Sequence, residues 1–291
     1  MSRPLVGTAG WSYPDWEDAV YPARCAPSEK LRTVAEFLDC VEVDSSFYRP
    51  PSPRTTARWV ALTAHRPPFR FLAKAWQRFT HQRDAPWTPQ EFAAFRDGLE
   101  PLREAGRLDA LLFQFPWSFR CEPHNRDWLA RIAEQFDGWP IAVELRHDSW
   151  TPEFCCQQQW IYCNVDQPRL PHCMKLTEIA TGATGYFRFH GRNARNWFRE
   201  ETVYGDRYDY LYSEGELKEL LARIQRVAAK TQRTFAVFNN HKDAKAFANA
   251  LQLKALASPE APVRAPATLL ARFPALRAVL APGGAEQLPL V

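Results

Sequence analysis

Apolar runs recur eight times along the chain, near residues 4–9, 40–46, 69–75, 110–116, 141–147, 160–166, 184–190 and 233–240, and each stops at polar or charged residues. Their β-rich or continuously apolar character fits strands of a parallel sheet covered on both faces. Between them the period becomes helical: Leu31, Val34, Ala35 and Leu38 form one stripe, and Leu129, Ile132, Ala133 and Phe136 another. Thr88-Pro89-Gln90-Glu91 and Ser213-Glu214-Gly215-Glu216 each fit a capping box, in which side chains satisfy the orphan amides of a helix N-terminus. Apolar stripes follow both: Phe92, Phe95, Leu99 and Leu102 in one helix, Leu217, Leu220, Leu221, Ile224 and Val227 in the other. Ala244, Phe247, Ala248 and Leu251 mark the last helix of the series. This alternation predicts an α/β fold, a TIM-type (β/α)8 barrel with right-handed crossovers. Residues 11–28 make a long first loop, and residues 167–183 show no helical pattern, so the barrel is expected to be irregular between strands six and seven.

Residues 1–257 are read as the barrel domain and 258–291 as a Pro/Ala-rich extension, in which Leu269, Leu270, Phe273, Leu276 and Leu280 predict one short helix packed on the outside. A length of 291 residues, 46% hydrophobic and 24% charged, suits one such domain. The net charge of +4 comes without a basic run that would form a dedicated nucleic-acid surface. No apolar targeting stretch precedes the first strand, and no span of about 20 apolar residues occurs, so no membrane association is expected. Seven cysteines, odd in number and without C-x-x-C spacing, read as reduced thiols and a cytoplasmic protein. The phosphate-loop, dinucleotide and nucleophile-elbow signatures are absent, which disfavours a kinase, a Rossmann dehydrogenase or a serine hydrolase and predicts no resident cofactor.

In barrels of this type, strand C-termini and the loops after them build the active site. The runs end in Ala73-Lys74, Phe113-Gln114, Glu42-Val43-Asp44, Glu144-Leu145-Arg146-His147, Asn164-Val165-Asp166, Arg188-Phe189-His190 and Asn239-Asn240-His241. Alternate strand residues share a face, so Glu42 pairs with Asp44, Glu144 with Arg146, Asn164 with Asp166 and Arg188 with His190. Glu42 and Glu144 are the expected general acid and base, because burial raises a carboxyl pKa and a nearby arginine lowers it. Arg146 and Arg188 would hold an anionic group. The competing reading of the same four residues is a buried ion-pair network closing the barrel top. His147 and His190 could move protons, and Lys74 could clamp an anion. His81 and His241 read as supporting or surface groups.

After strand seven, the stretch from His190 to Trp197 carries Gly191, Arg192 and Arg195, and the loops after strands seven and eight frequently bind phosphate in this fold. Eleven tryptophans, with Trp11, Trp16, Trp76, Trp117, Trp150 and Trp197 in predicted top loops, could form stacking walls beside Tyr13. A divalent metal on Glu42, Glu144, Asp166 and His190 is an alternative. The run of Cys155, Cys156, Cys163, His172 and Cys173 fits no standard zinc spacing.

Gly7-Thr8-Ala9-Gly10-Trp11-Ser12-Tyr13, Val41 to Tyr48, Glu144 to His147, Phe189 to Arg192 and Phe238 to His241 together resemble the YecE-like family, also called domain of unknown function 72. The resemblance runs from about residue 5 to 256 and implies a TIM-barrel-type fold without an assigned reaction. Ala9 and Asp44 stand where such motifs more often carry serine and asparagine, and Asp44 adds a charge near the mouth. The combined expectation is an acid-base hydrolase or lyase acting on a small anionic ligand, a sugar phosphate or nucleotide fragment. Substrate contacts are expected from Trp11, Tyr13, Asp44, Lys74, Gln114, Arg146, Asp166, Arg188, Arg192, Asn239 and Asn240. The alternatives are a metal-dependent phosphoesterase and a non-catalytic nucleotide or nucleic-acid binder using Arg188, Arg192 and Arg195. The sequence does not fix the oligomeric state.

Overall fold

The computed structural model describes residues 3–22, 24–66, 68–84, 87–199 and 205–283. Eight parallel strands close into a barrel in chain order: β1 Leu5–Ala9, β2 Cys40–Val43, β3 Arg70–Lys74, β4 Leu108–Gln114, β5 Ile141–Glu144, β6 Ile161–Asp166, β7 Thr184–Phe189 and β8 Arg233–Phe238. Every expected strand is present. Pairing of Leu5 with Phe235 and of Gly7 with Cys40 joins β1 to both neighbours and leaves no open edge.

Alternation along the strands sorts the side chains. Ala9, Cys40, Leu72, Ala110, Leu112, Ala142, Cys163, Val165, Tyr186, Phe235 and Val237 fill the barrel interior. Stepping two residues toward the C-terminal end from Cys40, Leu72, Leu112, Ala142 and Tyr186 reaches Glu42, Lys74, Gln114, Glu144 and Arg188, so the charged strand ends continue the interior column. The opposite faces pack against helices through two large apolar layers.

The helices are α1 Lys30–Phe37, α2 Pro53–Leu62, α3 Gln77–Thr80, α4 Pro89–Glu104, α5 Pro123–Gln135, α6 Pro152–Gln158, α7 Glu214–Ala228, α8 Lys245–Ala257 and α9 Ala267–Arg272. Both predicted capping boxes form, at Thr88 with Glu91 and at Ser213 with Glu216. No apolar stripe announces α2, since of its ten residues only Thr56 is buried. Among the described residues, no helix is long and apolar enough to cross a membrane.

As expected, no helix connects β6 to β7. The Asn164 side chain does that connector's work. Its Oδ1 accepts from Ile179 N at 2.8 Å and from Thr177 Oγ1 at 2.7 Å, while its Nδ2 donates to Ile179 O at 2.9 Å and Tyr186 O at 3.1 Å. One buried amide thus satisfies both backbone groups of Ile179 in the connector and ties it to β7 through Tyr186 O.

In the C-terminal segment, α9 and a 3-10 turn at Pro274–Ala278 place Leu269, Leu270, Leu276 and Leu280 in the same apolar layer as α7 and α8. A parallel pair of short strands, β9 Arg264–Pro266 and β10 Ala281–Gly283, flanks them. Three-residue strands containing proline carry no readable period, which is why the sequence showed only the helix.

Replacing Asn164 by Ala would strand these donors and acceptors in a dry setting, and we expect a loss of about 2–4 kcal/mol. Urea unfolding measures this; a loss below about 0.5 kcal/mol, the range of a neutral surface change, would show that the connector holds itself.

Candidate active site at the barrel mouth

Beneath the mouth lies a web of charges. Arg188 forks onto Glu42, Nη2 donating to Oε1 at 2.6 Å and Nε to Oε2 at 2.8 Å, and its Nη1 donates to Glu144 Oε2. Tyr186 OH donates to the same Glu42 oxygen. The second oxygen of Glu144 accepts from Arg146 Nε at 2.7 Å and lies 3.1 Å from His190 Nε2. Glu42, Glu144 and His190 are 0% exposed and Arg188 is 1% exposed.

Burial alone would raise the Glu144 carboxyl, but the charges of Arg188 and Arg146, with His190, hold it well below the usual carboxylate range. Burial drives the His190 pKa down to about 3; Glu144 opposes this, while Arg146 and Arg188 add to it. Asn239 Nδ2 lies 2.8 Å from His190 Nδ1. With the amide assigned as donor, the imidazole proton sits on Nε2 and points at Glu144. This is the ion-pair network closing the barrel top. Glu42, Glu144 and His190, expected as proton-transfer groups, are buried here with their polar atoms engaged by Arg188, Tyr186, Arg146, Asn239 and, between Glu144 and His190, each other.

Above the web opens a cavity of about 480 Å³. Asp44, Lys74, Gln114, Arg146 and Asn239 line its base, and Tyr13, Phe47, Trp117, Trp197 and Tyr208 wall it. Lys74 Nζ lies 3.3 Å from Asp44 Oδ1 and 4.0 Å from the centre of the Phe47 ring. Burial works to raise the Asp44 carboxyl, but Lys74 and Arg188 outweigh it and hold the pKa below its ordinary value. His241 also lines the cavity, stacked on Tyr13 at 4.4 Å and 1° between planes, and burial lowers its pKa to about 4.

Of the expected contacts, Tyr13, Asp44, Lys74, Gln114, Arg146 and Asn239 line this cavity, and Arg188 lies in the web below it. Four others do not. Asp166 shares the outward face of β6 with Asn164, because Cys163 and Val165 take the interior positions; Tyr212 OH donates to it at 2.6 Å and Arg192 Nε at 3.0 Å. Arg192 is therefore spent on Asp166 and on Glu216, 2.9 Å away, rather than held out for a phosphate. Asn240 is fully buried, donating to Tyr210 O and Asn249. Trp11 lines a different surface pocket, edge-on to Trp59. His147 also lies outside the mouth, its Nδ1 accepting from Ser149 N at 3.1 Å.

Trp117 and Trp197 alone of the six tryptophans reach the mouth. Trp16 and Trp150 are buried, their ring N–H groups donating to His241 O and Phe119 O. Sequence reasoning missed Phe47, Tyr208 and Arg207 and undervalued His241. All four stand on loop segments, where no period marks the direction of a side chain.

The proposed metal ligands do not come together. Arg188 stands between Glu42 and Glu144, where a cation would sit, and Asp166 is on the other face of its strand. Among the described residues, one group has metal-ligand spacing: His147, Asp148 and His172, with one donor atom each within 4.8 Å of the others. It lies outside the mouth. Cys155, Cys156, Cys163 and Cys173, whose spacing fits no standard zinc site, are free thiols, and His172 stacks on His147.

Removing Arg188 would leave two buried carboxylates facing each other. We expect Arg188→Met to cost about 3–5 kcal/mol and the triple variant Arg188→Met, Glu42→Gln, Glu144→Gln to recover most of it; denaturant unfolding of both tests this, and a near-neutral single variant would contradict the web. His190 and His241 have folded pKa values of about 3 and about 4, below the unfolded value of about 6.5. The unfolded chain therefore binds more protons in that window, so stability is complete above about pH 6.5 and falls as the pH drops. A flat stability profile between about pH 7 and pH 5 would contradict the burial of these neutral imidazoles.

The family model described as "Protein of unknown function DUF72" matches residues 5–270. UPF0759 protein YunF of Bacillus subtilis (strain 168) is 30% identical over 268 residues, spanning 85% of this chain and 92% of the relative. The crystal structure of a DUF72 family protein from Thermotoga maritima MSB8 is 35% identical with a TM-score of 0.78, covering 88% of this chain and 99% of that one. That of a DUF72 family protein from Enterococcus faecalis V583 is 27% identical with a TM-score of 0.76, covering 87% and 95%. With its closed eight-stranded barrel and a family match across nearly the whole chain, the protein belongs to the DUF72 family, the YecE-like group that its strand-end motifs resemble.

Proposed function

We propose that this protein is an enzyme that carries out acid-base hydrolysis or elimination on a small anionic molecule with a stackable ring, bound in the barrel mouth. One observation carries the reading: two cations, each braced from behind, line one aromatic-walled cavity. Lys74 is held by Asp44 and Phe47, and Arg146 by Glu144 at 2.7 Å and by the Trp197 ring at 5.7 Å. Bracing of this kind fixes the donors before a ligand arrives and reduces the ordering cost of binding.

The roles divide by height in the mouth. Lys74 and Arg146 hold the anion. Trp117, Trp197 and Tyr208 offer ring faces. Asp44, held ionised yet partly open to the cavity, is the base, and neutral His241 is the second proton-transfer group. The Glu42, Glu144, Arg188 and His190 web keeps Arg146 aimed at the cavity.

A panel of anionic sugars and nucleotides screened by thermal shift and calorimetry tests this. At least one compound should bind saturably, weaken tenfold or more in Lys74→Met, and in Asp44→Asn remain bound without being turned over. A panel in which nothing binds, or binding indifferent to Lys74→Met, would contradict the reading.

A further inference from the structure

Two loops at the C-terminal end of the barrel, the one after β5 and the connector from β6 to β7, meet at His147, Asp148 and His172. We propose that these three side chains form a binding site for one divalent ion of the zinc class, separate from the chemistry of the mouth.

The main chain fixes the donors first. Asp148 N donates to His172 O at 3.1 Å and Met174 N to Arg146 O at 2.8 Å, while His147 pairs with Cys173 in an isolated antiparallel bridge. Trp117 Nε1 also donates to His172 O, at 3.1 Å. His172 itself takes a left-handed backbone, φ 58°, a conformation that is unfavourable for a residue with a side chain and that gathers at ligand-holding sites. Its ring lies parallel to that of His147, with 3° between planes and 5.7 Å between centres.

The spacing of the donor atoms is that of metal ligands. His147 Nδ1 lies 3.5 Å and His172 Nδ1 3.6 Å from the same Asp148 oxygen, Oδ1. Both separations are too long for hydrogen bonds. Zinc bonds of about 2.1 Å to nitrogen and oxygen set the edge of a tetrahedron at about 3.4 Å, close to both. One donor atom from each of the three residues lies within 4.8 Å of the others, and the exposed His172 ring can turn to shorten the remaining edge. Ser149 N donates to His147 Nδ1 at 3.1 Å, which keeps the lone pair there and the ring proton on Nε2. That lone pair faces a carboxylate oxygen, an opposition that a cation between them relieves. The ion takes over the lone pair, and Ser149, exposed at the surface, passes its N–H to water.

Two imidazoles and one carboxylate favour a borderline transition ion over magnesium or calcium, which call for shells of oxygen. Three protein ligands leave one coordination position for water. An ion held there clamps the β6–β7 connector to the loop after β5. Trp117 packs on His147 with 5.2 Å between ring centres, so the clamp stands directly behind one wall of the mouth.

Calorimetric titration of Zn2+ and of Mg2+ into the whole chain, after dialysis against a chelator, tests the site. One Zn2+ should bind per chain and raise the unfolding temperature, with no response to Mg2+. Loss of a ligand in His172→Asn or Asp148→Asn should weaken Zn2+ by more than the roughly tenfold that loss of a supporting group costs. Asparagine tolerates the left-handed backbone, and His172 and Asp148 are both exposed, so both variants should unfold like the metal-free protein. His124→Asn, at an exposed histidine outside the group, should leave Zn2+ binding unchanged. Zn2+ binding that is absent, matched by Mg2+, or as tight in His172→Asn and Asp148→Asn as in the parent protein would overturn the proposal. None of these outcomes bears on the function assigned to the mouth.

Discussion

The guanidinium of Arg188, set between Glu42 and Glu144 with almost no exposure to water, is the interaction on which the mouth depends. Two carboxylates on the interior column of one barrel cannot both stay charged and dry without a cation between them. Arg188 supplies it from a third strand and so ties β2, β5 and β7 together at their C-terminal ends. Once Glu144 is held ionised, its remaining oxygen orients Arg146 and accepts a hydrogen bond from His190 Nε2. The mouth above inherits its geometry from this buried charge.

Such a web differs from a catalytic pair in one physical respect. A general acid needs a carboxyl whose pKa is raised and whose proton can reach a ligand. Glu144 has a lowered pKa and no exposed surface. The function we propose therefore assigns its chemistry one level up, to Asp44, Lys74 and His241, which line the cavity directly. The web is rigid, electrically balanced support.

The barrel was legible because eight apolar runs, two capping boxes and the two-residue alternation of the strands all point to one architecture. Alternation also grouped Glu42 with Asp44, Glu144 with Arg146 and Arg188 with His190, and the structure keeps each group at the mouth. It could not say which face of β6 turns inward: in Cys163-Asn164-Val165-Asp166 either pair could fill a barrel, and the apolar pair does so, sending Asp166 outward to Arg192 and Tyr212. Nor could it anticipate how donors would be spent. Arg192 and Asn240 look like phosphate ligands in sequence, yet both are satisfied internally. Phe47, Arg207 and Tyr208 reach the cavity from loop segments whose path no periodicity records.

Carbon-13 NMR of the Glu144 side-chain carboxyl, followed as the pH is lowered from neutrality, tests the central claim most directly. The account predicts a resonance that stays at the ionised position through the ordinary carboxylate range, about pH 4.3, until the fold itself is lost. A carboxyl that titrates near or above that value while the protein remains folded would contradict it. It would make Glu144 an acid able to donate a proton, and the web a reacting centre instead of a support.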